Sequence, residues 1–429
     1  MKEHKISLAT AILINMNIMI GSGILIGPGA SAAISGNASF LTWPLVAFIF
    51  LPVVLCTIEL SRMFPGAGGF YLYAKQGLNK TAGFAAGWLY IVGYTFAATV
   101  ETLALRKTFL NSIGSNFITA NPFIFNALLL GITLGFSLLS LKIVSNFLNS
   151  LTIAKILPLL ILILLLPFIF TTSFAITGTE LSLLPASLAM PIFGYFGFEY
   201  CVGISHLIKD SEKNAPRAIL IGFLATGLLY MLFHFGLLQL MGAQNLAVVG
   251  APSFANYIQL PIPYIKHLLT FLIPIASLLT LFAGLLGMIS ANAILLQSMA
   301  QENLFKRGSI LTTVTKNNRP WIALVLQTLV VFIIALFIPH IDRAGGLTIF
   351  GVFLSFLLPF LSLLIVQYRR KMRAKLPITI IGIMLALGLS AYSWYTLCPD
   401  FVERMIYTFV LLAAFGIGMC FYNNKSDQR

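Results

Sequence analysis

The feature that most constrains this chain is a succession of long apolar runs separated by short polar, glycine or proline segments. A transmembrane α-helix needs about 20 mostly apolar residues, and no span can leave backbone polar groups unpaired in lipid. Charged residues make up only 9% of the 429-residue chain, against about a quarter in average soluble proteins. The pattern predicts an all-α integral membrane protein of about twelve transmembrane helices, with no sizeable soluble domain.

Twelve apolar runs are long enough to be spans. The first five are residues 8–34, 40–61, 81–109, 123–141 and 147–170. The next five are residues 184–208, 215–241, 265–301, 320–338 and 345–367. The last two are residues 376–397 and 401–422. The first is interpreted as a retained span, because no small-residue cleavage site follows a short apolar region.

The distribution of basic residues predicts an orientation. With the amino terminus in the cytoplasm, 20 of the 26 Lys and Arg fall on the cytoplasmic side and Lys155 falls inside a span. The far side has only Arg106, Lys107, Lys266, Arg343 and Arg404. The positive-inside rule therefore places both termini in the cytoplasm. The formal net charge of +14 is explained by these loops, and we expect no nucleic-acid partner.

Two spans contain glycines where a lipid-facing helix favours Leu or Ala. The first span contains Gly21, Ser22 and Gly23, and the sixth contains Gly194 and Gly197. Glycine weakens a helix interior. Both helices are therefore predicted to break near the middle of the membrane.

A helix break at that depth exposes amide donors on one half-helix and carbonyl acceptors on the other. The amide end suits a carboxylate and the carbonyl end suits an ammonium group, so paired breaks can hold a zwitterion such as an amino acid. The alternative is that these glycines only allow close helix packing, as we expect of Gly83, Gly87, Gly131 and Gly135. Placement at the start of two five-helix halves favours the binding site.

Two ionisable residues, Lys155 and Glu199, lie well inside apolar spans. A buried charge costs several kcal/mol unless it is paired, neutralised or hydrated, so such residues are functional candidates. Lys155 is interpreted as a proton-coupling group, with snorkelling to the cytoplasmic surface as the alternative. Glu199 follows the sixth-span break and is expected either to take part in proton coupling or only to brace the break.

Other ionisable residues of the spans receive structural interpretations. Glu101 is expected to be neutral or to pair with Arg106 or Lys107, which follow it at about one helical turn and beyond. His206 and His234 are expected to be packing groups.

The sequence lacks the common motifs of soluble enzymes. The glycines of the first span lack dinucleotide-loop spacing, and the sequence contains no Walker loop and no His-Glu-x-x-His helix. The four cysteines lie in apolar stretches and fit no zinc or redox spacing. We therefore expect no catalytic residue, cofactor or metal.

Several motifs together resemble the amino acid, polyamine and organocation (APC) transporter superfamily. They are Gly21-Ser22-Gly23-Ile24, Glu59-Leu60-Ser61, the segment 64–73, Phe196-Gly197-Phe198-Glu199 and the segment 209–219. The likeness extends from the first span to about the tenth. Two departures, Leu25 in place of an aromatic and a segment 290–296 without a following arginine, bear on the side-chain specificity of the pocket.

The resemblance implies a leucine-transporter-like fold of two inverted five-helix repeats, residues 1–170 and 184–370, followed by a helix pair at 376–422. It implies a substrate held at the two breaks, with the carboxylate at the first and the amino group at the second. The residues assigned to substrate binding are Ile20, Gly21, Ser22, Gly23, Ile24, Phe193, Gly194, Phe196 and Gly197. Lys155 matches a fifth-span lysine that replaces sodium in some proton-coupled members.

The leading hypothesis is a secondary active transporter of amino acids or related amines that works by alternating access and is coupled to protons. An exchanger of the same family is the alternative, and an amino-acid-gated channel or sensor ranks below both. The expected partners are the small-molecule substrate, protons and the lipid bilayer. The resemblance implies a multi-pass protein of a bacterial inner (plasma) membrane.

Overall fold

The chain is described here by a computed structural model that covers residues 6–64, 69–169, 174–203, 208–258, 263–398 and 400–423. These residues form α-helices, short 3-10 helices and two isolated β-bridges, and no strand. The first eight α-helices are α1 (Leu8–Met19), α2 (Ser22–Ser35), α3 (Thr42–Met63), α4 (Gly69–Gly77), α5 (Lys80–Ile113), α6 (Phe117–Ala120), α7 (Pro122–Ser137) and α8 (Leu141–Ile169). The others are α9 (Gly178–Ser182), α10 (Ala189–Gly194), α11 (Tyr200–Gly203), α12 (Ser211–Val249), α13 (Pro263–Gln301), α14 (Trp321–Phe337), α15 (Ile341–Arg369), α16 (Leu376–Leu397) and α17 (Phe401–Phe421).

The helices have the length and composition of membrane spans. In the described part of the chain, seven continuous helical stretches are long and apolar enough to cross a bilayer. Shorter apolar helices occur at Leu8–Met19, Pro122–Ser137, Lys155–Phe168 and Trp321–Phe337. The predicted all-α membrane fold is confirmed, while the count of twelve spans and the division into inverted repeats stay predictions.

Polar caps set several helix boundaries. Asn79 accepts a hydrogen bond from the amide of Ala82 at 2.8 Å and starts α5, and Asp400 accepts one from Val402 at 2.8 Å and starts α17. The predicted boundary between the fourth and fifth spans was wrong at both ends, because α7 ends at Ser137 rather than at 141 and α8 begins at Leu141 rather than at 147. Ser140 provides the start signal, since its hydroxyl accepts from the amide of Ile143 at 3.4 Å.

The long helix α5 lies at the centre and packs against α13, α14 and α15. The helix α12 packs against α1, α2 and α3. At the outside, α16 and α17 expose large apolar side chains such as Met384 and Phe409, as expected of surfaces that face lipid. The broken segments therefore lie among longer helices, of which α12 is itself kinked at Gly242, where φ is +72°.

Of the four glycines that were expected only to allow close helix packing, two have close neighbours and two do not. A Cβ on Gly83 would lie 2.7 Å from the Cβ of Lys75, and one on Gly87 would lie 2.8 Å from the sulfur of Met299. These two contacts confirm the packing interpretation. For Gly131 and Gly135 it was wrong, because an added Cβ would meet nothing within 4 Å. Both face the outside of α7.

Candidate functional site at two helix breaks

The first predicted break is present. The helix α1 ends at Met19 and α2 begins at Ser22, with Ile20 extended at φ −75° and ψ 93° and Gly21 at φ −139° and ψ −145°. Neither residue has a helical backbone, and both are fully buried. The break therefore lies inside the protein and not at a lipid-facing surface.

The second predicted break is also present. The helix α10 ends at Gly194, a turn covers 195–199, and α11 begins at Tyr200. Gly197 has φ +97°, a conformation that side chains disfavour. A Cβ there would also lie 2.8 Å from Cγ2 of Ile18, beside the first break. Glycine at 197 thus allows both the turn and the close approach.

The two breaks lie against each other. A Cβ on Gly23 would lie 2.4 Å from the Cα of Gly194, and one on Gly194 would lie 2.9 Å from the ring of Trp43. The glycine pattern therefore also serves close packing, which was the alternative weighed from the sequence. The same contact brings the two interrupted helices together, while a role of these glycines in substrate binding stays a prediction.

Scaffold side chains hold the carbonyl end of the first break. The Lys155 ammonium donates to the carbonyl oxygens of Asn17 at 2.7 Å and Ile20 at 3.0 Å. The Tyr230 hydroxyl donates to the carbonyl of Met19 at 2.6 Å. Lys155 is 1% exposed, which excludes the snorkelling alternative in this conformation. Side chains of neighbouring helices therefore satisfy these carbonyls.

A carboxylate holds the amide end of the same break. Glu101 Oε1 accepts hydrogen bonds from the Ser22 amide at 3.0 Å and the Ser22 hydroxyl at 2.8 Å. Of the alternatives expected for Glu101, the pairing with Arg106 was wrong, because the Arg106 guanidinium donates to the carbonyls of Thr119 and Ala120, each at 3.2 Å. Glu101 therefore belongs to the site and sequence reasoning missed it. The signal that could have identified it is an acid inside an apolar span.

Glu199 holds the second break. Its Oε2 accepts from the Gly197 amide at 3.1 Å, and its Oε1 accepts from the hydroxyls of Tyr90 at 3.2 Å and of Tyr94. The bond to Gly197 is the bracing contact expected for this residue. A role in proton coupling stays a prediction.

A narrow cavity lies between the breaks. It is lined by Ile18, Met19, Gly21, Ser22, Gly23, Tyr94, Ala97, Glu101, Phe193, Phe196 and Met288. The predicted site residues Gly21, Ser22, Gly23, Phe193 and Phe196 are thus brought together, while Ile20, Ile24, Gly194 and Gly197 lie in the same segments without lining it. Sequence reasoning missed Tyr94, Ala97 and Met288, which lie on the continuous helices α5 and α13 with no distinguishing motif.

A second cavity lies on the other side of α2. Ile24, Leu25 and Lys155 line it together with Ser277 and Thr280 of α13 and several residues of α8, α12 and the 3-10 helix after it. Lys155 thus contacts both the first break and this second cavity. Its ammonium bonds the carbonyls of α1, and its side chain borders this second space.

The histidine expectations have different outcomes. His234 is fully buried. Its Nδ1 accepts from the indole of Trp43 at 3.0 Å, and its Nε2 lies 3.1 Å from the Ser39 hydroxyl. It is a packing group, as expected. His206 lies outside the described residues.

Within the described part of the chain, no group of three His, Cys, Asp or Glu side chains could hold a metal ion.

A fold of many apolar helices with two interrupted helices facing each other is typical of membrane transporters. A family model described as "Amino acid permease" matches residues 6–418. The chain belongs to this family, which confirms the resemblance noted from its motifs.

Several curated proteins are similar to the chain. The serine/threonine exchanger SteT of Bacillus subtilis (strain 168) is 24% identical over 383 residues, which are 86% of this chain and 84% of SteT. The amino-acid permease RocE of the same organism is 27% identical over 68% of this chain and 64% of RocE. The low-affinity putrescine importer PlaP of Escherichia coli (strain K12) is 27% identical over 44% of this chain and 42% of PlaP.

Proposed function

We propose that this protein is a proton-coupled secondary active transporter of amino acids or related amines that works by alternating access. The observation that carries the proposal is the pair of interrupted helices, which pack against each other among longer helices such as α5 and α12. Ionisable side chains hold their polar ends. Half-helix ends facing one another at a buried cavity form a site for a small zwitterion.

The substrate would lie in the cavity between the breaks. Its carboxylate would take amides of the segment Ile20–Ile24, and Phe193, Gly194, Phe196 and Gly197 would enclose its amino group. The helix dipoles support this assignment, since α2 presents its amino end and α10 its carboxyl end to the same space.

Proton coupling is assigned to Lys155, with Glu199 as a second candidate. A protonated Lys155 supplies the positive charge at the carbonyls of Asn17 and Ile20. Loss of its proton would weaken these hydrogen bonds to the end of α1. The half-helix α1 would then be freer to move. The substrate gradient and the proton gradient would then be linked through one helix end.

Uptake into proteoliposomes tests this proposal. We expect an inward proton gradient to drive accumulation of an amino acid or amine above its outside concentration, and Lys155→Ala to abolish the accumulation. The matched control is Lys107→Ala, an exposed lysine at the far side of α5. Full gradient-driven accumulation by Lys155→Ala would overturn the coupling role.

An exchanger is the second candidate. It is favoured by the likeness to SteT, a serine/threonine exchanger that aligns over 86% of this chain. An exchanger takes up labelled substrate only when the vesicles are preloaded. The proton-coupled transporter accumulates it in empty vesicles.

We further propose that residues 1–170 and 184–370 form two inverted repeats and that both termini face the cytoplasm of a bacterial inner membrane. The two interrupted helices open the two halves, as in transporters built from such repeats. The basic loops support the orientation.

A further inference from the structure

Only one of the two oxygens of the Glu101 carboxylate has hydrogen-bond partners in the described part of the chain. Its Oε1 is bonded by Ser22, whereas its Oε2 is buried and has no hydrogen-bond partner within the described part of the chain. The residue is 1% exposed and lines the cavity between the breaks. No ion pair of Glu101 within 4 Å is present among the described residues. A buried acceptor of this kind costs free energy until a donor meets it.

The space around Glu101 is kept open by glycines. A Cβ on Gly21 would lie 2.8 Å from Oε1, and one on Gly284 of α13 would lie 3.1 Å from both Oε1 and the carboxyl carbon. Larger residues on either side would press on the carboxylate. Tyr94, Phe193 and Phe196 line the same cavity with aromatic rings, and ring faces attract cations.

We infer that Oε2 of Glu101 accepts a hydrogen bond from the ammonium group of the transported solute. This inference rests on the proposed function and adds the residue that recognises the charge. Glu101 uses only one amide of α2, that of Ser22, so the amides of Gly23 and Ile24 in the same first turn remain for a carboxylate. An α-amino acid carries its two charged groups on one carbon, so both contacts fit a single molecule.

The ligand chemistry follows from this placement. The substrate must carry an ammonium group, because that group supplies the donor that Oε2 of Glu101 lacks. Decarboxylated amines should therefore compete with the amino acid. The matching hydroxy acids, which have no ammonium group, should not.

Competition binding on the purified full-length protein tests the inference. The probe is whichever of the 20 standard amino acids binds most tightly, with its decarboxylated amine and its 2-hydroxy acid as competitors. For the wild-type protein we expect the amine to compete and the hydroxy acid to bind at least about 100-fold more weakly, as expected when a buried charged hydrogen bond is left unmade. Equal binding of the hydroxy acid and the amino acid would overturn the inference without any variant.

Variants locate the effect. Glu101→Gln should weaken amino acid and amine binding by roughly 10- to 100-fold and remove the preference over the hydroxy acid. Ser22→Ala should keep the preference, because it removes a donor to Oε1 and leaves Oε2 intact. The matched control is Glu59→Gln, a carboxylate that pairs with Lys375 at 2.6 Å outside the cavity, which should behave as wild type.

The outcomes separate the two proposals. If no amino acid or amine binds the wild-type protein, the proposed function fails together with this inference. If amino acids bind and Glu101→Gln keeps full preference for the amine, only the inference fails. If Glu101→Gln does not fold, Glu101→Asp replaces it and should keep the ammonium preference with weaker binding.

Discussion

At the scale of single residues, three side chains from three neighbouring helices hold the first break. Glu101 of α5, Lys155 of α8 and Tyr230 of α12 bond the segment 17–22 from different sides. The sequence identifies Lys155 readily, because a lysine inside an apolar span is conspicuous. Tyr230 carries no such signal, since a tyrosine is common in apolar helices and its partner is a backbone carbonyl 211 positions away.

Tyr230→Phe should destabilise the protein. It removes the donor to the Met19 carbonyl, a buried acceptor at a helix end, and such a loss costs about 1–3 kcal/mol. Thermal unfolding of the purified protein in detergent measures the change. Tyr368→Phe, at a tyrosine that is 75% exposed, is the matched control, and equal unfolding temperatures for the two variants would contradict the expectation.

Gly284→Ala should impair binding more than folding. Its Cβ would lie 3.1 Å from the Glu101 carboxyl carbon and would displace it from the cavity wall. We expect the KM for uptake to rise. Gly287→Ala, nearly one turn further along α13, meets only Ile18 at 3.7 Å and should leave KM near the wild-type value. A rise of equal size in both variants would exclude a specific contact with Glu101.

At the scale of the elements, the positions of the breaks could be predicted and their consequences only in part. The glycines at 21, 23, 194 and 197 predicted both interruptions, because glycine weakens a helix interior wherever it stands. What satisfies the freed polar groups could not be read from the sequence, since it depends on which helices surround the breaks. The same limit explains Gly131 and Gly135, whose face of α7 is decided by its neighbours.

Gly23→Ala should disrupt the contact between α2 and α10. An added Cβ would lie 2.4 Å from the Cα of Gly194, a backbone atom that cannot rotate away. We expect a lower unfolding temperature, with a cost of at least about 1–3 kcal/mol, and loss of uptake.

The matched control for this variant is Gly135→Ala on α7. Its Cβ would meet nothing within 4 Å, and alanine favours helix over glycine by about 1 kcal/mol. Stability should therefore be unchanged or slightly higher. A Gly23→Ala protein as stable and active as Gly135→Ala would show that the two breaks do not pack as described.

At the scale of the whole molecule, the segment before α1 is hydrogen-bonded to the segment before α12. Ile6, just before α1, forms an isolated β-bridge with Ile208, and the Lys209 amide donates to the Ile6 carbonyl at 3.0 Å. Elsewhere, Lys75 pairs with Glu302 at 2.7 Å and Lys375 with Glu59 at 2.6 Å. All of these contacts lie on the side that the basic residues assign to the cytoplasm.

Cysteine labelling tests that assignment. In a background without the four native cysteines, Lys316→Cys and Lys107→Cys introduce exposed thiols at opposite ends of the helices. A membrane-impermeant maleimide added to intact cells should label Lys107→Cys, and Lys316→Cys should react only after the membrane is opened. The reverse pattern would contradict the positive-inside orientation.

The proposed transport mechanism requires that the solute bind between the two breaks. The direct measurement is a density map of the protein saturated with the amino acid or amine that binds most tightly. We expect density between Ser22 and Phe193, with its amino group beside Glu101. Density at any other place, with the cavity between the two breaks unoccupied, would contradict the central claim.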